Sequence, residues 1–473
     1  MKKIAALIAT LIVGALIVSC SEAPTLGGAV GEFNAIKNNN IALREFIQAM
    51  PKGGDLHNHL FGAVYAESWI AWAEEDKMCL DKDALGIRFP GPDGCGALPS
   101  VKKALTGDQK LRNELIDKLS LRDFTPSQGW SGHDQFFDTF FSMASMPNRF
   151  GDMVADASNL AGRQNVSYLE LMHTLELFDT ILPMVGGIAM SGDAKADYET
   201  LMASEFGKKL PEMVARAIRD TDAAMARKDK LLGCGTENAQ PGCSVKVRFL
   251  NQDVRTLPAS AVYAHAIFGW ELMKQDNRFV GTNLVAPEDD YIALRDYSQH
   301  MQQLDYLYKT LGPRNVSLHA GELWLGVTHP KELRFHIHDA IKIGHAKRIG
   351  HGTDIVFEDG YKDLLNFMKE KEILVEINLT SSDVLLGIKG KAHPFSTYRK
   401  AGVPTALSTD DEGVSRIDLS HEYMRAVQEF GLSYTELKAL AYNSLKYSFL
   451  PKDEKTALIK SLDERFTDFE SHY

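Results

Sequence analysis

The chain has 473 residues, of which 44% are hydrophobic and 24% charged. That balance belongs to folded, water-soluble proteins and excludes collagen-like, coiled-coil and largely disordered classes. A formal net charge of -11 excludes general nucleic-acid binding, which needs a basic surface, and favours a small-molecule partner.

The chain opens with Lys2 and Lys3, an apolar run from Ile4 to Val18, then Ser19 and Cys20. A basic head and a short apolar core read as a secretory signal. The run is too short to span a bilayer, and no later stretch approaches the ~20 apolar residues needed. The segment Ile17-Val18-Ser19-Cys20 resembles the lipoprotein box of bacteria. That resemblance implies cleavage after Ser19, lipidation of Cys20, and export to a membrane surface held by the lipid alone. Ser21 after the cysteine points, by the habit of that family, to the outer membrane. The expected organisation is a signal over 1–19, a small-residue tether over 20–45 and one folded domain over 46–473.

Eight short β-branched or apolar runs follow: Asp55–Leu60, Val166–Met172, Val245–Asn251, Phe279–Leu284, Val316–His319, Arg348–His351, Ile373–Asn378 and Pro404–Thr409. Segments of helical period lie between most of them, among them Leu333–Ile343, Lys362–Lys371 and His421–Phe430. Eight strand–helix alternations predict an α/β fold of the (β/α)8 TIM-barrel type, a closed parallel barrel inside a helical ring. An open doubly wound sheet is the alternative, but the glycine-rich phosphate turn typical of it is missing. Two connections exceed one helix, giving long insertions after the first and second strands. Each insertion holds two cysteines close in sequence. In an exported chain these predict Cys79–Cys95 and Cys234–Cys243 disulfides, one of three possible pairings. Cys20 accounts for the odd fifth cysteine.

Four polar motifs end these strands, where a barrel builds its active site. His57-Asn58-His59 puts two imidazoles on one face of a strand. Ser317-Leu318-His319-Ala320-Gly321-Glu322 adds a third imidazole and a carboxylate. His351 lies between Gly350 and Gly352. Asp410 and Asp411 close the last strand. His336-Ile337-His338 has the same spacing as the first pair but lies in a helical segment, so its rings diverge and it reads as structural. Three imidazoles and one carboxylate suit a zinc ion with an open position for water. Zinc brings the pKa of such a water towards ~7. The site type is metal-assisted hydrolysis, with Glu322 and His351 as spare groups for proton transfer.

Together the motifs resemble the adenosine deaminase family over roughly Met50 to Leu450. Pro51-Lys52, His393-Pro394-Phe395 and Ala401-Gly402-Val403-Pro404 belong to the same resemblance. The resemblance implies a zinc-dependent (β/α)8 barrel that hydrolyses the 6-amino group of an adenine nucleoside to the inosine form and ammonia. It implies one Zn2+ per chain on His57, His59, His319 and Asp410. Glu322 would protonate purine N1, and His351 would orient the attacking water and accept its proton. Asp411 would bind N7, Gly281 would offer its backbone N–H to N3, and His59 would also face the substrate.

Two positions depart from the family pattern. Phe61 stands where the family has an aspartate near the ribose 5′-hydroxyl, which makes 5′-deoxy or 5′-alkylthio nucleosides plausible substrates beside adenosine and 2′-deoxyadenosine. Glu412 follows Asp411 and is expected to add a carboxylate at the mouth, disfavouring phosphorylated substrates. The rival readings are an amidohydrolase acting on another purine or on an adenine base, and a non-catalytic exported binding protein on the same barrel.

Overall fold

The structure is a computed structural model and describes residues 27–143 and 146–473. The expected signal, its cleavage point and the lipidation site Cys20 lie outside the described residues.

All eight expected strands are present: β1 (Gly53–His59), β2 (Val166–His173), β3 (Lys246–Val254), β4 (Phe279–Val285), β5 (Ser317–Ala320), β6 (Arg348–His351), β7 (Leu374–Ile377) and β8 (Thr405–Leu407). They form two four-stranded parallel arrays, β1-β2-β3-β4 and β5-β6-β7-β8. Parallel bridges from Thr282 to Val316 and from Asn58 to Asp410 join the arrays at both seams. At the second seam His59 N–H donates to the Asp410 carbonyl and Asp410 N–H donates to the His57 carbonyl, each at 2.9 Å. The sheet thereby closes on itself as a barrel, which removes its open edges. The strands are apolar and buried because helices cover their outer face.

The expected tether ends earlier than residue 45. Residues 28–45 belong to the packed body through helices α1 (Gly28–Ile36) and α2 (Asn40–Ala49). Asn39 starts α2 by accepting from the N–H groups of Ile41 and Ala42, a good N-cap. Leu43, Phe46 and Ile47 then fall on one buried face. Phe33 is 1% exposed and lies 5.7 Å from the Phe46 ring and 6.3 Å from Tyr434. The short polar segment hides two amphipathic turns, too brief to stand out from a linker by composition. Lys52 secures the same corner. Its buried ammonium donates to the carbonyls of Ile47, Met50 and Gln164, groups left over where helices end.

The insertion after β1 carries a small antiparallel ribbon, Cys79–Asp81 with Gly86–Arg88, and helix α3 (Gly132–Ser142). It leads through α4 (Phe150–Arg163) into β2. Gly132 lets α3 approach the opposite rim, since a Cβ there would stand 2.3 Å from the Val384 carbonyl oxygen. The insertion after β2 contains the 28-residue helix α5 (Glu205–Leu232). Both expected disulfides, Cys79–Cys95 and Cys234–Cys243, are formed, each with Cα atoms 5.4 Å apart. Among the described residues no helix is long and apolar enough to cross a membrane.

Phe33→Ala is expected to cost ~3–5 kcal/mol, as for a buried aromatic. Denaturant unfolding of the chain without its first 19 residues measures it. Unchanged stability would return residues 28–45 to the role of a tether.

Candidate active site

Each site residue is delivered by the carboxyl end of a strand, where the chain leaves the barrel. On β1, residues 57 and 59 share a face, and on β5 His319 stands opposite Gly350 of β6. Gly350 makes the room: a Cβ there would lie 2.7 Å from Cε1 of His57. His351 and Asp410 have φ of +65° and +63°. These left-handed conformations are costly for residues with side chains and concentrate at functional sites. Here they turn an imidazole and a carboxylate towards the barrel axis.

The Nε2 atoms of His57, His59 and His319 and Oδ1 of Asp410 converge. His319 Nε2 stands 3.1 Å from His57 Nε2 and 3.2 Å from His59 Nε2. Asp410 Oδ1 lies 3.1 and 3.3 Å from the same two nitrogens. A tetrahedral ion at ~2.0–2.1 Å from its ligands holds them about 3.3 Å apart, so this donor set fits zinc in type and spacing.

The second nitrogen of each imidazole is fixed by a partner behind it. His57 Nδ1 donates to Glu376 at 2.7 Å, His59 Nδ1 to Gln252 at 2.8 Å and His319 Nδ1 to Asn283 at 2.8 Å. These bonds choose the tautomer that leaves Nε2 free for an ion. Glu376 in turn accepts from Arg348 at 2.6 Å and from Ser317 at 2.8 Å. Burial lowers the His57 pKa, but the Asp410 and Glu376 carboxylates outweigh it and lift it to about 10. His319 moves the other way, well below its ordinary value, through burial and the neighbouring imidazoles.

Glu322 and His351 flank this cluster, with His351 Nδ1 3.2 Å from Glu322 Oε1. Burial and then Asp410 push the Glu322 carboxyl well above the usual range. Burial, together with the nearby His57 and His59, brings His351 down to about 3. Burial thus favours the protonated carboxyl and the neutral imidazole. Glu288 positions this loop. It accepts from the Gly321 and Glu322 N–H groups at 3.1 and 2.8 Å and from His336 Nδ1 at 2.6 Å. His336 is thus structural, as its helical setting predicts, and its ring stacks on Tyr297.

Asp411 lies under the cavity, and its Oδ1 is buried with no partner among the described residues. Burial raises its pKa to about 7, with Asp410 adding to the effect and His59 opposing it. Gly62 leaves the room, because a Cβ there would clash with the Asp411 carboxylate. Phe61, half-buried, turns to an aromatic wall, 4.5 Å from the Trp69 ring and 6.0 Å from Phe140. The cavity measures about 1260 Å³ and is lined by His59, Phe61, His319, Glu322, Asp410 and Asp411 from the barrel. Phe136, Phe137 and Phe140 of α3 line it too, as do Arg216 and Arg227 of α5. Both insertions therefore help to wall the mouth.

Two expectations are corrected. Gly281 does not reach the cavity. It lies mid-strand, with Leu250 and Phe449 within 3 Å of where its Cβ would be. Phe449 belongs to the barrel floor, under Arg348 at the start of β6. At about 3.3 Å per residue, Gly281 sits roughly 13 Å below Val285. The residues that line the cavity at the end of this strand are Val285 and Ala286, and Ala286 has φ +77°. Glu412 is the second. It begins a short helix that folds its side chain behind β1, within 3.4 Å of Asn58 Nδ2. Burial and Asp55 hold it well above the usual carboxylate range, so it puts no charge at the mouth.

Sequence reading also missed Glu376, Asn283, Gln252 and Glu288. A signal for Glu376 existed: one carboxylate inside the apolar run Ile373 to Ile377 requires a buried partner. Glu376→Gln is expected to weaken metal affinity roughly 10- to 100-fold, as measured by competition with a chelator. An unchanged affinity would limit Glu376 to holding Arg348.

Comparison with known proteins places this architecture. The adenosine deaminase family model matches residues 209–465, more than half of the chain. An adenosine deaminase of Enterococcus faecalis is 28% identical over 56% of this chain and 68% of its own length. One from Clostridium perfringens is 30% identical over 41% of this chain and 55% of its own length. Among solved structures, an Arabidopsis N6-mAMP deaminase superposes with a TM-score of 0.58 and 22% identity, covering 89% of this chain and 99% of that one. A Burkholderia ambifaria amidohydrolase with bound Zn gives a TM-score of 0.54 at 16% identity, covering 90% and 94%. These two support the TIM-barrel fold. The chain belongs to the adenosine deaminase family of hydrolytic deaminases.

Proposed function

We propose that this protein is a zinc-dependent deaminase of adenosine or a closely related adenine nucleoside, yielding the inosine form and ammonia. The observation that carries this is the convergence of three Nε2 atoms and Asp410 Oδ1 beside Glu322 and His351, whose groups lie 3.2 Å apart. His57, His59, His319 and Asp410 would hold the ion, which when bound acidifies a water and so supplies a nucleophile at neutral pH.

The chain's own groups cover the remaining proton movements. Glu322 delivers its proton to N1 of the purine, which makes C6 electrophilic. His351 accepts a proton from the attacking water and can return it to the departing amine. Asp411, with its pKa near 7, is protonated often enough to donate to N7. Their rigid placement fixes the ring for attack on one face. The cavity of about 1260 Å³ exceeds the ~300–1,000 Å³ common for small-molecule sites, which favours a nucleoside over a free base. The Phe61 wall supports acceptance of substrates with an apolar 5′ group. Glu412, neutral and folded away, gives no reason to reject a phosphate.

Glu322→Gln is expected to lower kcat by ~10²-fold or more while zinc content stays at that of the wild type. The assay follows the ultraviolet change on deamination for adenosine, 2′-deoxyadenosine, 5′-methylthioadenosine and adenine. Turnover of none of these by the zinc-loaded wild type would reject the deaminase reading.

We also propose that the protein is exported and lipid-anchored at Cys20. The two disulfides support an oxidising compartment. In a bacterial host fed labelled fatty acid, the full chain should carry the label and sediment with membranes. Cys20→Ala should lose both, and retention of label by that variant would exclude the anchor.

A further inference from the structure

One imidazole in the cavity wall belongs to neither the ion-binding cluster nor the proton-transfer pair. His173 is the last residue of β2 and lines the cavity. Strand register sets Met172 opposite His59 and His173 opposite Asn251. His173 therefore stands one residue beyond the level of a metal ligand on the neighbouring strand. Its ring lies flat on Phe150, with centroids 4.2 Å apart and planes at 26°. That stacking fixes the ring and leaves its edge, with both nitrogens, for a hydrogen bond.

No protein group takes up that edge. Among the described residues His173 has no hydrogen-bond partner, whereas the polar groups around it are committed. Gln252 accepts from His59 and donates to Thr174. Thr174 donates to the Gln252 carbonyl, and Glu176 is paired with Arg216. Burial lowers the His173 pKa to about 4, so the ring is neutral at neutral pH and offers one donor and one acceptor. Such an edge suits a hydroxyl, which also donates and accepts. Phe61 cannot play that part, because its phenyl ring has no acceptor.

We propose that His173 hydrogen-bonds a sugar hydroxyl of the bound nucleoside and thereby sets which sugars the enzyme accepts. The assignment rests on the adenine-nucleoside reading of the site. Phe150 is the buttress that keeps the ring in place, and His173 is a specificity residue that leaves the chemistry at C6 to others.

The test compares the wild type with His173→Phe, which keeps a planar ring against Phe150 but cannot hydrogen-bond. Zinc content and thermal unfolding are measured first, to establish that the variant is folded and loaded. Both enzymes are then assayed on adenosine, 2′-deoxyadenosine, 3′-deoxyadenosine and 5′-deoxyadenosine. The expected result is a KM for adenosine raised roughly 3- to 10-fold, the worth of one neutral hydrogen bond, with kcat nearly unchanged. One of the three deoxy substrates should show no such rise, and it identifies the hydroxyl. His173→Asn, which restores a donor and an acceptor, should recover part of the loss on adenosine. An equal loss on all four substrates, a loss confined to kcat, or no loss in a zinc-loaded variant would overturn the proposal while leaving the deaminase reading intact. Failure of the wild type on all four overturns the nucleoside reading itself and this assignment with it.

Discussion

A single carboxylate with no access to water holds the barrel interior together. Glu376 receives the His57 ring on one oxygen and Arg348 and Ser317 on the other. Arg348 spans onward to Glu170 at 2.6 Å, and Glu170 accepts from the Tyr168 hydroxyl and the Phe449 N–H. The barrel axis is therefore a column of alternating charges from floor to metal cluster. Ion pairs buried this deeply contribute little net stability against well-packed apolar side chains. Their value here is placement: each member is satisfied only in one arrangement, so the His57 ring has one orientation and one tautomer.

That column explains why the site needs glycines and strained residues at its upper end. Four imidazoles, two aspartates and a glutamic acid cannot crowd together if every neighbour carries a Cβ. Gly350 yields to His57, Gly62 to Asp411, and Gly321 to Asp354. The positive φ of His351 and Asp410 costs ~1–3 kcal/mol each, stabilised by the hydrogen-bonded seam between β1 and β8 and by the packing of β5 against β6. The same crowding separates the acids by environment. Burial works against the charge on Asp410, but hydrogen bonds from His57 and His59 outweigh it and hold its carboxyl well below the usual range, while burial lifts adjacent Asp411 to about 7. One dipeptide thus holds two carboxyl groups whose environments push their pKa values apart.

The strands were legible because a parallel barrel buries both faces and writes its strands as short apolar runs. The converging histidines and Asp410 stood out in the sequence because they interrupt those runs at the carboxyl ends, where nothing structural calls for histidine or aspartate. What was not legible depended on depth along a strand or on distant partners. Gly281 was misassigned because a glycine in a strand does not state whether it lies at the floor or the rim. Glu412 was misplaced because its neighbours Asp55 and Asn58 lie over 350 positions away in sequence. Residues 28–45 looked like a tether because α1 and α2 are short and their buried faces amount to a few side chains. Gln252, Asn283 and Glu376 read as ordinary polar residues until the histidines they hold were set beside them.

The early start of the folded body bears on how an anchored molecule would sit. With α1 beginning at Gly28, a lipid on Cys20 would leave only residues 21–27 as a leash. Seven residues reach about 25 Å when fully stretched. A body held by so short a segment would stay close to the lipid.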